Sequence, residues 1–435
     1  MENLAKANQS SSSAQPSSEL SASLIQSTDL STIGASEKTP MPTSVTHTQV
    51  SAKAAWMKWF AALKAILPLY LAIHLTFLFI TCFAFLFLYQ DFSTQSASFS
   101  RLWLLWLHWD TINFRAIAVH GYTVSWLTAF FPLYPLLERG LTYFTHDTLI
   151  AGLIISNLCG LGMLIVLYRL AWEDFNAEYA YRTVLYLSVF PTAFFFAAAY
   201  SESLFLLLAL LSFYHVRRSH WWLAGLFGLL AALTRVSGLL LLLPFCYEYA
   251  RQHDFKLREI RFDILSGGCI VAGIALFALY CSVLFHDPLA FSHAEALWNR
   301  KLSIPGYALL RSVKAMTASQ GILSFQFLRN ILDLMPDLFV CVLVILCFVG
   351  PWKIPRNLWA YALFAATFFL FPQLFPFGGL YPLESIPRYL LAVFPVFIVL
   401  AAMGKNRTLE ITYLLISGSL LFLLLTQFLT GHWIT

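Results

Sequence analysis

Long apolar runs, separated by short polar connections, follow one another along the chain from about residue 66 onward. Each run is continuous over about 15–24 residues without alternation of period two, which predicts helices rather than the strands of a β-barrel. A helix of about 20 apolar residues crosses a bilayer. We therefore predict an all-α polytopic membrane protein with about eleven transmembrane helices, over residues 66–89, 149–170, 183–199, 201–216, 221–234, 236–249, 266–285, 336–350, 358–377, 389–403 and 410–430.

Four of these predicted helices, between residues 183 and 249, are shorter than the length that crosses a bilayer and form two tight hairpins. Short helices at membrane depth are tolerated where they face a cavity or are covered by protein. The pattern therefore predicts that this part of the chain lines a cavity.

The beginning of the chain differs from the rest. Residues 1–50 contain eighteen Ser or Thr, no Phe, Trp or Tyr and no long apolar run. Such a segment buries too little apolar surface to fold. We predict a disordered, cytoplasmic Ser/Thr-rich tail over residues 1–52 and a membrane-embedded domain over residues 53–435.

The basic residues indicate how the predicted helices are oriented. The connections on one side carry fifteen Lys or Arg, whereas the longer connections on the other side carry only ten. Because cytoplasmic connections are enriched in Lys and Arg, the first set is predicted to be cytoplasmic. That set consists of residues 53–65, 169–182, 217–220, 250–263, 351–357 and 404–408.

Two long connections, residues 90–148 and 286–335, are then predicted to lie on the non-cytoplasmic side. Segment 124–145 is apolar enough to cross the membrane, but a crossing there would invert every later connection. We interpret it as a re-entrant or surface-lying part of a large first extracytoplasmic loop. The short connections near residues 200–203 and 378–388 open to the same side.

The composition agrees with the membrane prediction. Apolar residues make up 59% of the chain and charged residues 11%, whereas a soluble domain carries about 25% charged residues. The net charge of +5 is too small to indicate a nucleic-acid partner. All seven cysteines lie in apolar segments without a C-x-x-C pair, which argues against a disulfide framework and a structural zinc site.

Asp110 is the first candidate for chemistry. It lies beyond the first predicted helix, among aromatic residues in LWLHWDTINFRAIAVHGY. An acid at such a place is costly unless it is paired or functional, and a partly shielded carboxylate suits a general base. The alternative is that Asp110 caps the helix that follows it.

Three further charged residues interrupt apolar sequence. Glu202 lies at the tip of the first short hairpin, where a helix cap or an ion pair is the alternative to a functional role. Arg235 has no acid near it in the sequence, and a lone Arg between apolar runs faces a cavity and an anion. Its planar guanidinium suits phosphate. Arg388 is predicted to pair with Glu384 or to extend to the membrane interface.

The histidines do not predict a metal site. His74, His108 and His120 show no metal-ligand spacing. We therefore assign no metal ligand from the sequence, and a requirement for a divalent metal is left open.

Four strings resemble one known family. WDTINFRAIAVHGYTVSWLTAFFPLYPLLERG is similar to the block W-D-x-x-H-F-x-x-I-A-x-x-G-Y…A-F-F-P-L-Y-P of the PIG-V (GPI mannosyltransferase 2) family. FPTAFFFAAAYSESLF, ALTRVSGLLLLLP and SIPRYLLAVFPVFIVLA resemble later blocks of that family, in the same order. The resemblance spans about residues 66–403. One departure is Asn113, where the family block often has His.

The resemblance implies a GT-C glycosyltransferase fold with the site on the non-cytoplasmic side. The essential acid of the family's first outside loop matches Asp110, which implies a catalytic base. Arg235 and Arg388 are then the expected ligands of the donor phosphate. Residues expected to support the site or bind substrate are Trp109, His108, Asn113, His120, Tyr200, Glu202 and Glu384.

The function implied is inverting transfer of a sugar, mannose, from a polyprenyl (dolichyl-type) phosphate donor to a glycan or glycolipid acceptor. No cofactor other than this lipid-linked donor is expected, and the partners are membrane lipids and the two substrates. The setting would be a bacterial plasma membrane or the endoplasmic reticulum. A lipid-linked sugar flippase or small-molecule transporter is the alternative, although the internal repeats typical of transporters are not evident.

Overall fold

Helices form all the regular structure in the computed structural model, which describes residues 52–88 and 99–432 and contains no β-strand within them. The tail predicted over residues 1–52 lies outside the described residues, except for Ala52. The helices of the first half are α1 (Ala52–Leu88), α2 (Phe99–Leu104), α3 (Asp110–His120), α4 (Leu133–Thr145), α5 (Thr148–Asp174), α6 (Ala177–Ser188), α7 (Glu202–Val216), α8 (Trp221–Thr234) and α9 (Leu242–Gln252).

The second half continues the same pattern, with short 3₁₀ turns between several helices. Its helices are α10 (Gly267–Phe285), α11 (Ala290–Ala294), α12 (Tyr307–Thr317), α13 (Phe325–Phe348), α14 (Trp359–Gln373), α15 (Ile386–Tyr389), α16 (Pro395–Met403) and α17 (Arg407–Leu429).

Five described helices are long and apolar enough to cross a membrane. They are α5, α13, α17, most of α1 (Trp56–Leu86), and α10 together with the 3₁₀ turn before it (Phe262–Phe285). A sixth apolar unit, Ile386–Ala392 with Pro395–Met403, is bent by 83°. This set agrees with the predicted all-α polytopic class.

Three segments predicted as single helices are broken in the structure. Segment 389–403 is one of them: Leu390–Ala392 forms a 3₁₀ turn, and α16 begins only at Pro395. In 183–199, α6 ends at Ser188 and a 3₁₀ turn follows at Ala193–Phe196. Pro191 lies between them, and proline lacks the N–H that would continue a helix. In 236–249, a 3₁₀ turn over Val236–Leu241 precedes α9. An apolar composition was sufficient to suggest a helix but does not ensure an unbroken one.

Helix α13 corrects another prediction. It begins at Phe325 rather than at residue 336, so the outside loop predicted over residues 286–335 is shorter and partly helical. Arg329, Asp333 and Asp337 lie inside this helix and are buried. Gln373 of α14 donates a hydrogen bond of 2.5 Å to Asp337. These charges interrupt the apolar run but face the protein interior, which allows the helix to include them.

Helix α7 occupies the centre of the bundle. Nearly all of its side chains are buried, and it packs against α5 and α8. An apolar helix that is buried all round belongs to the core. Its two ends carry charge: Glu202 begins the helix and Arg217 follows its last residue.

The end of α7 near Arg217 lies in an ion-pair network. Arg217 pairs with Asp174 at 2.8 Å and with Glu248 at 2.9 Å, and Arg251 pairs with Glu248 at 2.6 Å. Tyr361 donates a hydrogen bond to Asp174. Because Asp174, Arg217 and Arg251 come from three segments predicted to be cytoplasmic, the network joins those segments at one place.

Close approach of α8 and α10 depends on glycine. A Cβ atom at Gly225 would lie 2.2 Å from the carbonyl oxygen of Ser266, and one at Gly273 would lie 2.6 Å from that of Leu229. Small residues allow helices in membrane proteins to pack backbone against backbone. These helices support the connection that carries Arg235.

Candidate functional site

A cavity of about 520 Å³ opens at the end of α7 that carries Glu202. Its wall combines α3, α7 and α14 with the connection after α8, the turn near residue 295 and α15. Most of the wall is aromatic or aliphatic, and the charged residues that line it are Asp110, Glu202, Arg235, Glu295, Arg300, Glu384 and Arg388. This volume is in the range of ligand sites, about 300–1,000 Å³.

Asp110 is the first residue of α3. The helix cap position is Trp109, whose side chain makes no capping bond, so the capping interpretation of Asp110 is wrong. The Asp110 carboxylate instead accepts a hydrogen bond of 2.6 Å from Arg388. The positive end of the α3 dipole also favours an acid at this position.

The backbone before Asp110 has an unusual conformation. Trp109 has a φ of 53°, in the left-handed region that bulky residues rarely adopt. Such a conformation persists only where its surroundings hold it, and it is common at functional sites. It turns the chain into α3 so that Asp110 faces the cavity.

Arg388 links two acids. Its guanidinium lies 2.6 Å from Asp110 and 3.2 Å from Glu202, and its side chain is buried. The sequence suggested Glu384 or the membrane interface for this arginine; the structure places it in the wall of the cavity, paired with Asp110 and Glu202. The position of α15, which carries Arg388, is stabilised by a hydrogen bond of 2.9 Å that Thr192 donates to the carbonyl of Pro387.

Arg235 is also paired, contrary to the expectation of a lone arginine. It lies 2.6 Å from Glu202. Its cavity position is as expected. The sequence could not show this pair, because the two residues belong to different elements. Glu202 is the first residue of α7, whereas Arg235 follows the last residue of α8.

Tyr389 is surrounded by three guanidinium groups. Those of Arg235, Arg388 and Arg300 lie 5.1, 5.3 and 5.6 Å from the centre of its ring. Arg300 also donates a hydrogen bond of 3.4 Å to the Tyr389 hydroxyl. Sequence reasoning missed Arg300 as a site residue. It lies in a polar, basic stretch, where an arginine does not stand out from its neighbours as a charge in apolar sequence does.

The other predicted site residues occupy different surroundings. Tyr200 is buried next to Arg388, at 5.3 Å, and donates to the backbone carbonyl of His108. The His108 ring packs against Phe428 of α17, and burial lowers its pKa. Asn113 is half-buried on α3, and His120 is exposed at the end of that helix. Glu384 lines the cavity.

Glu138 is a second residue that the sequence reasoning missed. It is fully buried on α4, and neither carboxyl oxygen has a hydrogen-bond partner among the described residues. Burial raises the pKa of Glu138 to about 8, against the lowering effect of Arg115. Gly152 makes room for it, since a Cβ atom there would lie 2.8 Å from Oε1.

The arrangement combines a carboxylate with several cations in one cavity. Asp110 can accept a proton, and the guanidinium groups of Arg235, Arg300 and Arg388 can stabilise an anion. Across residues 52–88 and 99–432, no group of three or more His, Cys, Asp or Glu side chains is placed to hold a metal ion.

The model of the family "Mannosyltransferase (PIG-V)" matches residues 88–291. GPI mannosyltransferase 2 of Yarrowia lipolytica is 28% identical over 179 residues, which are 40% of this chain and 48% of the relative. GPI mannosyltransferase 2 of Cryptococcus neoformans is 27% identical over 201 residues, 41% of this chain and 47% of the relative. GPI alpha-1,6-mannosyltransferase 2 of Rattus norvegicus is 30% identical over 142 residues, 30% of this chain and 29% of the relative.

These matches confirm the predicted resemblance to the PIG-V family over a narrower range than residues 66–403. The chain spans less than half the length of the curated relatives that it matches. Asp110, Glu202 and Arg235 lie inside the matched range, whereas Arg300 and Arg388 lie beyond it. The structure brings the two groups of residues together in one cavity.

Proposed function

We propose that this chain, which matches the PIG-V family model over residues 88–291, transfers mannose from a polyprenyl-phosphate donor to a glycan or glycolipid acceptor. The observation that carries the proposal is the position of the Asp110 carboxylate, which shares a cavity with Arg235 and Arg388. The apolar wall suits lipid-linked substrates.

The proposed reaction is a single inverting displacement of the GT-C type. An acceptor hydroxyl oxygen attacks the anomeric carbon of mannose on the face opposite the phosphate, and its proton passes to Asp110. The bond from the anomeric carbon to the phosphate oxygen breaks, and the electron pair stays on the phosphate. The departing phosphate is a stable anion, so it requires cations rather than a general acid.

Arg388 has two parts in this scheme. In the structure its guanidinium occupies the Asp110 carboxylate, which has to be free to accept the proton. A donor phosphate offers Arg388 another anionic partner. Binding of the donor and release of the base are therefore coupled in the proposal, while Arg235 neutralises Glu202.

The site would face away from the cytosol, because the segments that form it are those predicted on the non-cytoplasmic side. The setting proposed is a multi-pass protein of the endoplasmic reticulum or of a bacterial plasma membrane. The eleven-helix topology belongs to this proposal.

Exchange of Asp110 for Asn tests the function. Asp110→Asn keeps the size of the side chain and removes the base, so mannose transfer is expected to fall by roughly 10²-fold or more. Binding of the lipid donor should persist. Both are measured on one purified sample, with donor mannose labelled. Transfer within a few-fold of the wild type would remove Asp110 from the mechanism.

A transporter of lipid-linked sugar is the second candidate. The buried acids Asp333 and Asp337 of α13 favour it, because acids within membrane helices often mark transport paths. Reconstituted vesicles distinguish the two functions. Mannose transferred to an added acceptor supports the enzyme, whereas donor that crosses the bilayer intact supports the transporter.

A further inference from the structure

The three arginines around Tyr389 differ in how firmly each one is paired. Arg388 has two acids within 3.2 Å, and Arg235 lies 2.6 Å from Glu202. Both are therefore held by charges inside the cavity. An incoming anion would have to compete with short ion pairs to bind either of them.

Arg300 is held less tightly. Its ion pair with Glu295 measures 3.6 Å, and the Glu295 side chain is 43% exposed. At 3.6 Å the two charges lie beyond hydrogen-bond distance, so this pair is weaker than the 2.6 Å contacts of Arg235 and Arg388. The Nε atom of Arg300 is buried and has no hydrogen-bond partner among the described residues.

The position of Arg300 is nevertheless well defined. Its guanidinium lies over the Tyr389 ring at 5.6 Å and donates to the hydroxyl of that residue. Only 14% of its side chain is exposed. A guanidinium fixed in this way keeps N–H groups for a phosphate and loses little side-chain entropy on binding.

We propose that Arg300 is the main ligand of the donor phosphate and that the phosphate takes the place of Glu295. The proposal rests on the proposed function and refines it. Arg388, released from Asp110 by the same phosphate, is then a second ligand of it, while Arg235 holds Glu202. Glu295, at the exposed side of the pair, turns outward when the donor enters and returns when the polyprenyl phosphate leaves.

Binding of a polyprenyl phosphate without sugar tests this assignment, measured on the purified full chain in detergent. Arg300→Gln should weaken binding at least tenfold, because it removes the charge and the fork. Glu295→Gln should strengthen binding several-fold, because it removes the competing carboxylate. Lys301→Gln is the matched control: it removes one positive charge at the next residue, which does not line the cavity and is exposed.

Glu295→Gln keeps the test informative even if Arg300→Gln does not fold, because a gain in affinity requires a folded site. If Arg300→Gln does not fold, Glu295→Gln decides, and affinity equal to the wild type overturns the assignment. If Arg300→Gln folds and binds the polyprenyl phosphate with the affinity of the wild type or of Lys301→Gln, the assignment is also overturned. The proposed donor class then still stands. A wild-type protein that binds no polyprenyl phosphate overturns the donor class and the assignment together.

Discussion

At the scale of single residues, the surroundings of a carboxyl group decide its charge, and Glu138, which does not line the candidate site, shows this. It is buried on α4 between α3 and α5, where a charged form would lack both water and a hydrogen-bond partner among the described residues. Its raised pKa, about 8, means that the neutral form predominates at pH 7. The folded protein therefore binds a proton that the unfolded chain releases.

This difference predicts that stability depends on pH. The pKa of Glu138 rises from 4.5 in the unfolded chain to about 8 in the folded protein. Its contribution to stability is therefore fully present below pH 4.5 and is lost as the pH rises through 8. The total loss is on the order of 5 kcal/mol, at 1.36 kcal/mol per pKa unit. Glu138→Gln stays neutral and should remove most of this decline.

Thermal unfolding midpoints in detergent at pH 5, 7 and 9 measure the effect. The exposed Glu259 supplies a control, because Glu259→Gln should keep the decline of the wild type with pH. An equally steep decline in Glu138→Gln would contradict the assignment of a neutral buried acid.

Charged residues within apolar sequence were the part of the site that the sequence could predict. Asp110, Glu202, Arg235 and Arg388 stand out because each is costly in an apolar environment unless it has a function or a partner. Their pairing could not be predicted, since Asp110 and Arg388 are 278 positions apart. Arg300 could not be recognised in this way, because the residues around it in the sequence are also polar.

At the scale of helices, hydropathy predicted the class of element better than its limits. The proline at position 191 divides a segment that is apolar throughout, and α13 extends over charges that a hydropathy pattern excludes. In both cases three-dimensional contacts decide the outcome. Asp337 is tolerated in α13 because Gln373 of α14 donates to it.

The packing of α8 against α10 predicts a sharp difference between two glycines. Gly225→Ala would place a methyl group against the backbone of Ser266, where it cannot fit without movement, and should cost about 1–3 kcal/mol. Gly268→Ala meets no atom within 4 Å and should be neutral or slightly stabilising, because alanine favours helix.

Unfolding midpoints of the two variants, compared side by side, check this prediction. Both changes add one methyl group to a helical position of the same pair of helices. Equal midpoints would mean that α8 and α10 are not in the close contact that the structure describes.

At the scale of the whole molecule, two groups of charged residues lie at the two ends of α7. One group surrounds the cavity with residues from segments predicted on the non-cytoplasmic side, among them Asp110 and Arg388. The other is the network of Asp174, Arg217, Glu248 and Arg251, which includes segments predicted to be cytoplasmic. A central helix of 15 residues separates the two. This division supports the predicted topology.

Cysteine labelling in sealed vesicles of known orientation tests that topology. Thr123, Lys256 and Gln320 are exposed and lie in three different predicted connections. Each is changed to cysteine in a background without the seven native cysteines. Positions 123 and 320 should react from the non-cytoplasmic side, whereas position 256 should react from the cytoplasmic side.

The pair 123 and 256 is decisive, because a crossing by segment 124–145 would place both positions on the same side of the membrane. Segment 124–145 contains a 3₁₀ turn and the 13-residue α4, and neither is among the helices long enough to cross, so labelling of both positions from one side would refute the eleven-helix topology.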